Sequence, residues 1–343
     1  DWRLANVDDL IRYRDAHISS ISPSTRRSYA PGTIANRVSI VEAFYRRAIE
    51  WKWYEGVIGK RREYVRRGTT LDGSSLSHLG PSNYGYFTSG LSPKRVSLRT
   101  TVHPFMIAEL TAFLQAIGPR FNADSSPQGV RSRDRLIVDL ALFVGLRVDE
   151  IHQLTRYQFE SMCPDDNAPG AEQPLSIVGK GRKRRVVAIP NWLVADALTY
   201  IETYRAASTR ANRRQQNSAL ILSGLESNSP GRDMSHRRYQ QIVESACIHA
   251  GITIREKLTD PGTDKTVYRV RASHSIHDLR HTYAVLTYWA EKKNGNSEPW
   301  KKIQAQLGHS QLSTTVNTYL SFVEIFAAHK RMFSIHDLIG RDL

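Results

Sequence analysis

Residues 277 to 319 concentrate side chains that can do phosphoryl chemistry. The stretch opens His277-Asp278-Leu279-Arg280-His281-Thr282-Tyr283-Ala284. It closes Leu307-Gly308-His309-Ser310, then Ser313-Thr314-Thr315 and finally Tyr319. Breaking a nucleic-acid backbone without a metal sets clear demands. A nucleophile must reach phosphorus, fixed cations must meet the charge on the non-bridging oxygens, and the leaving oxygen must receive a proton. Tyr319 is the candidate nucleophile. A phenol with an ordinary pKa of about 10 needs neighbours that favour the phenolate or take its proton. Arg280 and, upstream, Arg147 are the candidate phosphate ligands, because guanidinium is planar, always charged and bidentate toward phosphate. Arg147 also fits a helix-start ion pair with Asp149 or Glu150, and Glu150 can hold it from behind.

His277 lies one helical turn from Arg280 and shares its face, so it could take the tyrosine proton or donate to a phosphate oxygen. His309 is placed to donate to the other oxygen, and His281 to support the site. Lys180 is the candidate general acid, with Lys183 as its neighbouring competitor. An ammonium among arginines and away from water should have a lowered pKa, which suits proton donation. Tyr283 and Tyr288 fall on the apolar helix that begins near His277 and read as core.

This pattern resembles the tyrosine site-specific recombinases of the phage-integrase family. The resemblance rests on His-x-x-Arg-His, Leu-Gly-His, an arginine after Gly-Leu with an acidic residue three positions on, and the first lysine of Gly-Lys-Gly. All six positions of the family set are filled, by Arg147, Lys180, His277, Arg280, His309 and Tyr319. Ten residues separate His309 from Tyr319, where some members have nine. Segments 155–174 and 207–233 are longer than the minimal pattern.

The resemblance implies cleavage and rejoining of double-stranded DNA at recombination sites, through a 3′-phosphotyrosyl intermediate and a Holliday junction. It implies no cofactor and no metal, because the covalent link conserves the bond energy. It implies a homotetramer assembled through the C-terminal tail, two domains clamped around the duplex, and room for accessory DNA-bending proteins. A type IB topoisomerase and a catalytically silent DNA-binding protein are the alternatives. Relaxation of supercoils without recombination sites separates the first, and the intact residue set argues against the second.

The implied fold is mainly α with a small β-sheet: a helical core-binding domain over 1–67, a basic linker over 68–100, a catalytic domain over 101–320, and a tail helix over 321–343. In the first of these, apolar residues from Ile34 to Ile49 recur at helical spacing behind Thr33. The other face carries Arg37, Arg46 and Arg47, either as DNA-backbone ligands or as a solvated face. Within 101–320 the spacing predicts helices over 104–118, 135–144, 192–204, 235–250, 277–289 and 300–307. Strands are expected over Leu175–Gly179 and Arg185–Pro190, around a turn whose Arg182, Lys183 and Arg184 would reach phosphates. A short strand is expected over Leu220–Leu222, and an irregular hairpin over Ile252–Lys257 and Thr266–Val270. The tail stripe 321–333 would pack on a neighbouring subunit or on its own domain.

Composition agrees with a polyanionic partner. The 343 residues are 40% apolar and 24% charged, with a net charge of +15. Cys163 and Cys247 lie far apart without metal-ligand spacing, as expected in a reducing cytoplasm, here close to the nucleoid. No run of roughly 20 apolar residues and no signal peptide is seen, so no membrane role is expected. The chain opens on Asp1 and not Met, which leaves room for residues upstream.

Overall fold

The computed structural model describes residues 1–23, 27–56, 60–62, 86–88, 103–121, 130–212, 217–259 and 266–309, with single positions 316, 319 and 323. The expected linker over 68–100, apart from 86–88, and the tail helix, apart from the buried Val323, lie outside the described residues. Two compact units form: Asp1–Thr100 with Lys257–Arg269, and Thr101–Glu256 with Val270–Leu343. Among the described residues no helix is long and apolar enough to cross a membrane.

In the first unit, α1 (Val7–Ser19) is started by a capping box. The Asn6 side chain accepts from the Asp8 and Asp9 amides at 2.8 and 3.2 Å, and the Asp9 carboxylate accepts from the Asn6 amide at 3.0 Å. The second helix, α2 (Pro31–Glu50), begins two residues before Thr33. The reason is Pro31 at its first turn, where a fixed φ and a missing N–H cost nothing. Leu10, Ile34, Val38, Tyr45, Ala48 and Tyr54 form the core between the two helices. Phe44 breaks the expected apolar stripe: it is exposed and meets Trp2 edge-on at 5.2 Å. Strands β1 (Lys60–Arg62) and β2 (Tyr86–Thr88) pair antiparallel. The second of these arises inside a Ser/Gly-rich stretch where none was expected.

The larger unit is built on helices α3 (Ile107–Ile117) and α4 (Val130–Phe143), α5 (Val148–His152) and α6 (Arg156–Glu160). Strands β3 (Glu172–Val178) and β4 (Arg184–Pro190) pair antiparallel with Leu175 opposite Val187. One continuous helical run then follows, α7 (Asn191–Tyr200), a π-turn (Ile201–Arg205) and α8 (Ala206–Ala211). After α9 (His236–His249), β5 (Thr253–Thr259) pairs with β6 (Thr266–Ala272), a hairpin whose stretch Lys257–Arg269 belongs to the first unit, and α10 (Ile276–Lys293) and α11 (Pro299–Leu307) complete the larger one.

The α4 sequence reads as a buried helix and is one. Ile137, Val138, Leu140, Ala141 and Leu142 are wholly buried, and α10 packs along it. Within it, Arg135 donates to Asp139 at 2.9 and 3.0 Å. Segment 220–222 is not a strand. The Arg205 guanidinium donates to the carbonyls of Asn217, Ala219 and Leu220, occupying groups a ladder would need. What remains are isolated bridges, Thr155 with Ala219 and Leu222 with Asp233. The ninth helix is as expected. The tenth runs four residues beyond Trp289, through good helix formers, to the Asn294 cap and Gly295 at φ +81°.

Candidate active site

Helix ends and turns bring Arg147, His277, Arg280, His281, His309 and Tyr319 together in the larger unit. Helix α4 stops at a left-handed Gly145, φ +70°, which turns the chain so that Arg147 caps α5 in extended conformation. The Arg147 amide donates to Glu150 Oε2 at 2.9 Å, and its Nη1 donates to Glu150 Oε1 at 2.9 Å. Arg147 is therefore ion-paired with Glu150, and the carboxylate behind it orients its fork. Its side chain stays 30% exposed while Glu150 is buried, so the arginine, not the acid, is available to a ligand.

Arg280 arrives from the first turns of α10, which is started by Ser275; the Ser275 amide and hydroxyl both donate to Asp278 Oδ2 at 2.8 Å. The Arg280 guanidinium is almost fully buried. It donates through Nη1 to the Gly145 carbonyl and through Nη2 to the Leu307 carbonyl, and it lies 3.6 Å from Glu150. It thus ties the end of α4 to the end of α11. Gly308, at φ +66°, ends α11 and delivers His309, whose amide donates to the Gln304 carbonyl at 3.2 Å.

Tyr319 is 1% exposed, with its hydroxyl 2.9 Å from His281 Nδ1. Its ring lies parallel to that of His309, 6.5 Å between centroids, and the His277 ring meets the His281 ring edge-on at 4.5 Å. Spacing alone has His277 taking the phenol proton or donating to a phosphate oxygen, and leaves the partner of His281 open. The group that faces the phenol is His281.

Electrostatics follow from this burial beside cations. Burial, with His277, Arg280, His309 and His103 nearby, pushes His281 down to about 3. Burial, then Arg280 and Arg147, push His309 down to about 4. His277 is lowered for the same reasons. All three imidazoles are neutral at pH 7, able to donate from one nitrogen and accept at the other. Burial pushes the Tyr319 phenol up to about 12, against the pull of Arg280 and Arg147. Burial and Arg147 lower Arg280 to about 9, which leaves it charged at neutral pH. For Glu150 burial works toward a higher value. Its hydrogen bonds from Arg185 and the Arg147 amide outweigh that and hold the carboxyl below the ordinary range.

Lys180 begins the turn Lys180–Arg182 between β3 and β4, where the Gly179 amide donates to the Lys183 carbonyl at 2.8 Å. Its side chain lies outside the described residues. Arg182, Lys183 and Arg184 are exposed around it. In the first unit, Thr33 and Arg47 are exposed, and Arg47 pairs with Glu50 at 2.8 Å. Arg37 is half-buried, stacked over Tyr29 at 4.2 Å and 3.4 Å from both His17 ring nitrogens; Arg46 is half-buried too. Tyr283 is buried and Tyr288 packs beside it, as read from the sequence.

Two residues of the site were missed. Arg185 donates to both Glu150 oxygens, Nη1 to Oε1 at 2.6 Å and Nη2 to Oε2 at 3.0 Å. Gln306 joins α11 to its surroundings: it donates to the carbonyls of Val144 at 3.0 Å and Ala188 at 2.8 Å, and accepts from the Ala188 amide at 2.9 Å. The signal for Arg185 was strand alternation, which puts it on the same face as buried Val187 and Ile189. A cation at an inward position needs a partner.

A buried phenol thus lies beside neutral imidazoles, with Arg147, Arg185 and Arg280 gathered on one carboxylate. The phage integrase family model matches residues 119–323, and the chain belongs to that family. Among curated relatives it is 28% identical over 183 residues to tyrosine recombinase XerD of Staphylococcus epidermidis, covering 53% of this chain and 48% of that protein. It is also 28% identical over 210 residues to tyrosine recombinase XerC of Haemophilus influenzae, covering 58% of this chain and 53% of that protein. The chain spans about half the length of the curated relatives it matches. The fold is shared with the XerH site-specific recombinase bound to palindromic difH substrate in a post-cleavage complex. There the TM-score is 0.53 at 18% identity, with 95% of this chain and 72% of that one covered.

Proposed function

We propose that this chain is a site-specific DNA recombinase or integrase, of a mobile genetic element, that cuts and rejoins DNA through Tyr319. The observation that carries the reading is the convergence of Arg147, Arg280, His309 and the Tyr319–His281 pair on the adjoining ends of α5, α10 and α11. Arg147 and Arg280 bind the scissile phosphate, and His309 donates to a non-bridging oxygen. The Tyr319 oxygen attacks phosphorus as its proton passes to the neutral His281, with His277 at the next ring. The 5′-oxygen leaves with a proton from Lys180, and the DNA is held as a 3′-phosphotyrosine. Attack by a partner strand's 5′-hydroxyl reverses the step and frees the phenol. The reaction conserves the bond energy and calls for no cofactor.

In the same proposal, residues 1–67 act as the core-binding domain, with Thr33, Arg37, Arg46 and Arg47 toward DNA. Residues 68–100 link it to the catalytic domain, 101–320, whose Arg182, Lys183 and Arg184 track the backbone. The tail, 321–343, joins four copies on two recombination sites, in the cytoplasm at the nucleoid, with DNA-bending proteins as helpers.

The test uses genomic fragments carrying a nick that lets the cleaved end diffuse away. The chain should form a DNA adduct that survives denaturation, and Arg280→Ala should form it roughly 10²–10³-fold more slowly, as when one transition-state donor is removed. No adduct, or an undiminished one in Arg280→Ala, refutes the reading.

A further inference from the structure

Arg185 threads between two glycines to reach Glu150. A Cβ on Gly308 would lie 2.9 Å from Arg185 Cδ and Nε, and a Cβ on Gly179 would lie 2.9 Å from its Nη1. Gly308 directly precedes His309, and Gly179 directly precedes Lys180. Beyond the glycines the guanidinium grips both oxygens of Glu150 and also donates through Nη2 to the Gln306 carbonyl at 3.3 Å. One side chain therefore touches the Lys180 segment, the His309 segment and the carboxylate behind Arg147.

Burial separates the roles of the three arginines on that carboxylate. Side-chain exposure is 2% for Arg280, 18% for Arg185 and 30% for Arg147. Arg185 stands behind the acid and Arg147 in front of it. Among the described residues the Arg147 guanidinium makes one hydrogen bond, through Nη1, which leaves the rest of its fork for a phosphate. A bidentate partner behind Glu150 fixes the carboxylate plane, and the carboxylate fixes where that fork points.

We propose that Arg185 is a positioning residue for strand cleavage, holding Glu150 and thereby Arg147 in register with the turns that present Lys180 and His309. This rests on the reading of the site as a DNA-cleaving centre. A lysine cannot replace it, because one ammonium cannot span both carboxylate oxygens. The glycines before Lys180 and His309 then have a stated purpose: each leaves room for this one side chain.

The test measures covalent adduct formation on a nicked duplex, together with duplex affinity, for the wild-type chain, Arg185→Gln, Arg185→Lys, Gly179→Ala and Gly179→Ala/Arg185→Gln. Arg185→Gln and Arg185→Lys should both cleave about 10–100-fold more slowly, the usual cost of losing the outer partner of an active-site ligand. Duplex affinity should be retained, and the acid limb of the pH–rate profile should move upward in Arg185→Gln as Glu150 loses its bidentate partner. Gly179 has φ −96° and ψ −171°, which alanine adopts freely. Its new methyl would displace only the movable tip of Arg185, so Gly179→Ala should slow cleavage when Arg185 is present and add nothing in Arg185→Gln. That cycle carries the test even if Arg185→Gln folds poorly alone, because Gly179→Ala then stands against wild type. Wild-type rates in Gly179→Ala and in Arg185→Lys, or equal effects of Gly179→Ala in both backgrounds, overturn the proposal. A wild-type chain that forms no adduct sinks the parent reading itself, a different and separately visible outcome.

Discussion

Replacing Glu150 by Gln keeps the shape of the side chain and removes the one negative charge shared by Arg147, Arg185 and Arg280. Removing one partner of a buried ion pair costs about 3–5 kcal/mol, because the other charge is left buried and unpaired. Here the three cations differ. Arg147 and Arg185 are partly solvated, and Arg280 keeps two carbonyl acceptors. The lower end, about 3 kcal/mol, is therefore expected. For a domain of this size that lowers the melting temperature by roughly 6–12 °C. An anion that enters the site replaces the lost charge, so sulfate or a short duplex should raise the melting temperature of Glu150→Gln more than that of the wild type. The pH dependence has a definite sign. The folded-state pKa of Glu150 is depressed, so its contribution is present above the ordinary 4.5 and is lost as pH falls below it. The gap between wild type and Glu150→Gln should therefore close in acid. Thermal melting in chloride and sulfate across pH measures all of this. An unchanged melting temperature in Glu150→Gln, or equal anion effects in the two proteins, refutes the charge-sharing argument.

Three further outcomes are expected. His281 and His309 are held near 3 and 4 when folded and have an ordinary value of 6.5, so the unfolded chain binds more protons between these values. Stability should fall as pH drops from 6.5 towards 4, and a proton-uptake slope that stays flat there contradicts the burial argument. Gln306→Ala strands the buried Val144 carbonyl and the half-buried amide and carbonyl of Ala188 and should cost about 2–3 kcal/mol in denaturant unfolding; a loss near zero would mean water replaces the amide. Gly145→Ala places a methyl 2.8 Å from Tyr283 Cδ1 and 2.9 Å from Leu307 Cδ2 at φ +70°. Left-handed strain and overpacking together should cost at least about 2 kcal/mol by the same assay, and a neutral effect would show that Tyr283 and Leu307 move aside freely.

Periodicity made the helices of the larger unit readable, because α4, α9 and α11 carry unbroken apolar patterns with recognisable stops. It failed where a side chain took over backbone partners. Arg205 on the carbonyls of 217–220 turned an apparent strand into isolated bridges, and no local pattern announces a guanidinium reaching across from the π-turn. The candidate residues that meet at the ends of α5, α10 and α11 were legible as types at characteristic spacings. Their supporting partners were less so. Arg185 and Gln306 reach Glu150 and the 188 backbone through tertiary packing. His281 was visible, but its contact with Tyr319 depends on how the chain returns after His309. Spacing put His277 and Arg280 on one face correctly, and it could not say which imidazole would meet the phenol.

In the proposed reaction a phenol oxygen of this chain, that of Tyr319, carries the broken DNA strand. The direct measurement is to trap the covalent complex on a nicked substrate, digest protein and DNA, and locate the nucleotide-bearing peptide by mass spectrometry. A single 3′-phosphotyrosyl linkage at Tyr319, absent in Tyr319→Phe, is expected. A linkage at Tyr283, at Tyr288 or at any serine, or an adduct that persists in Tyr319→Phe, would contradict it.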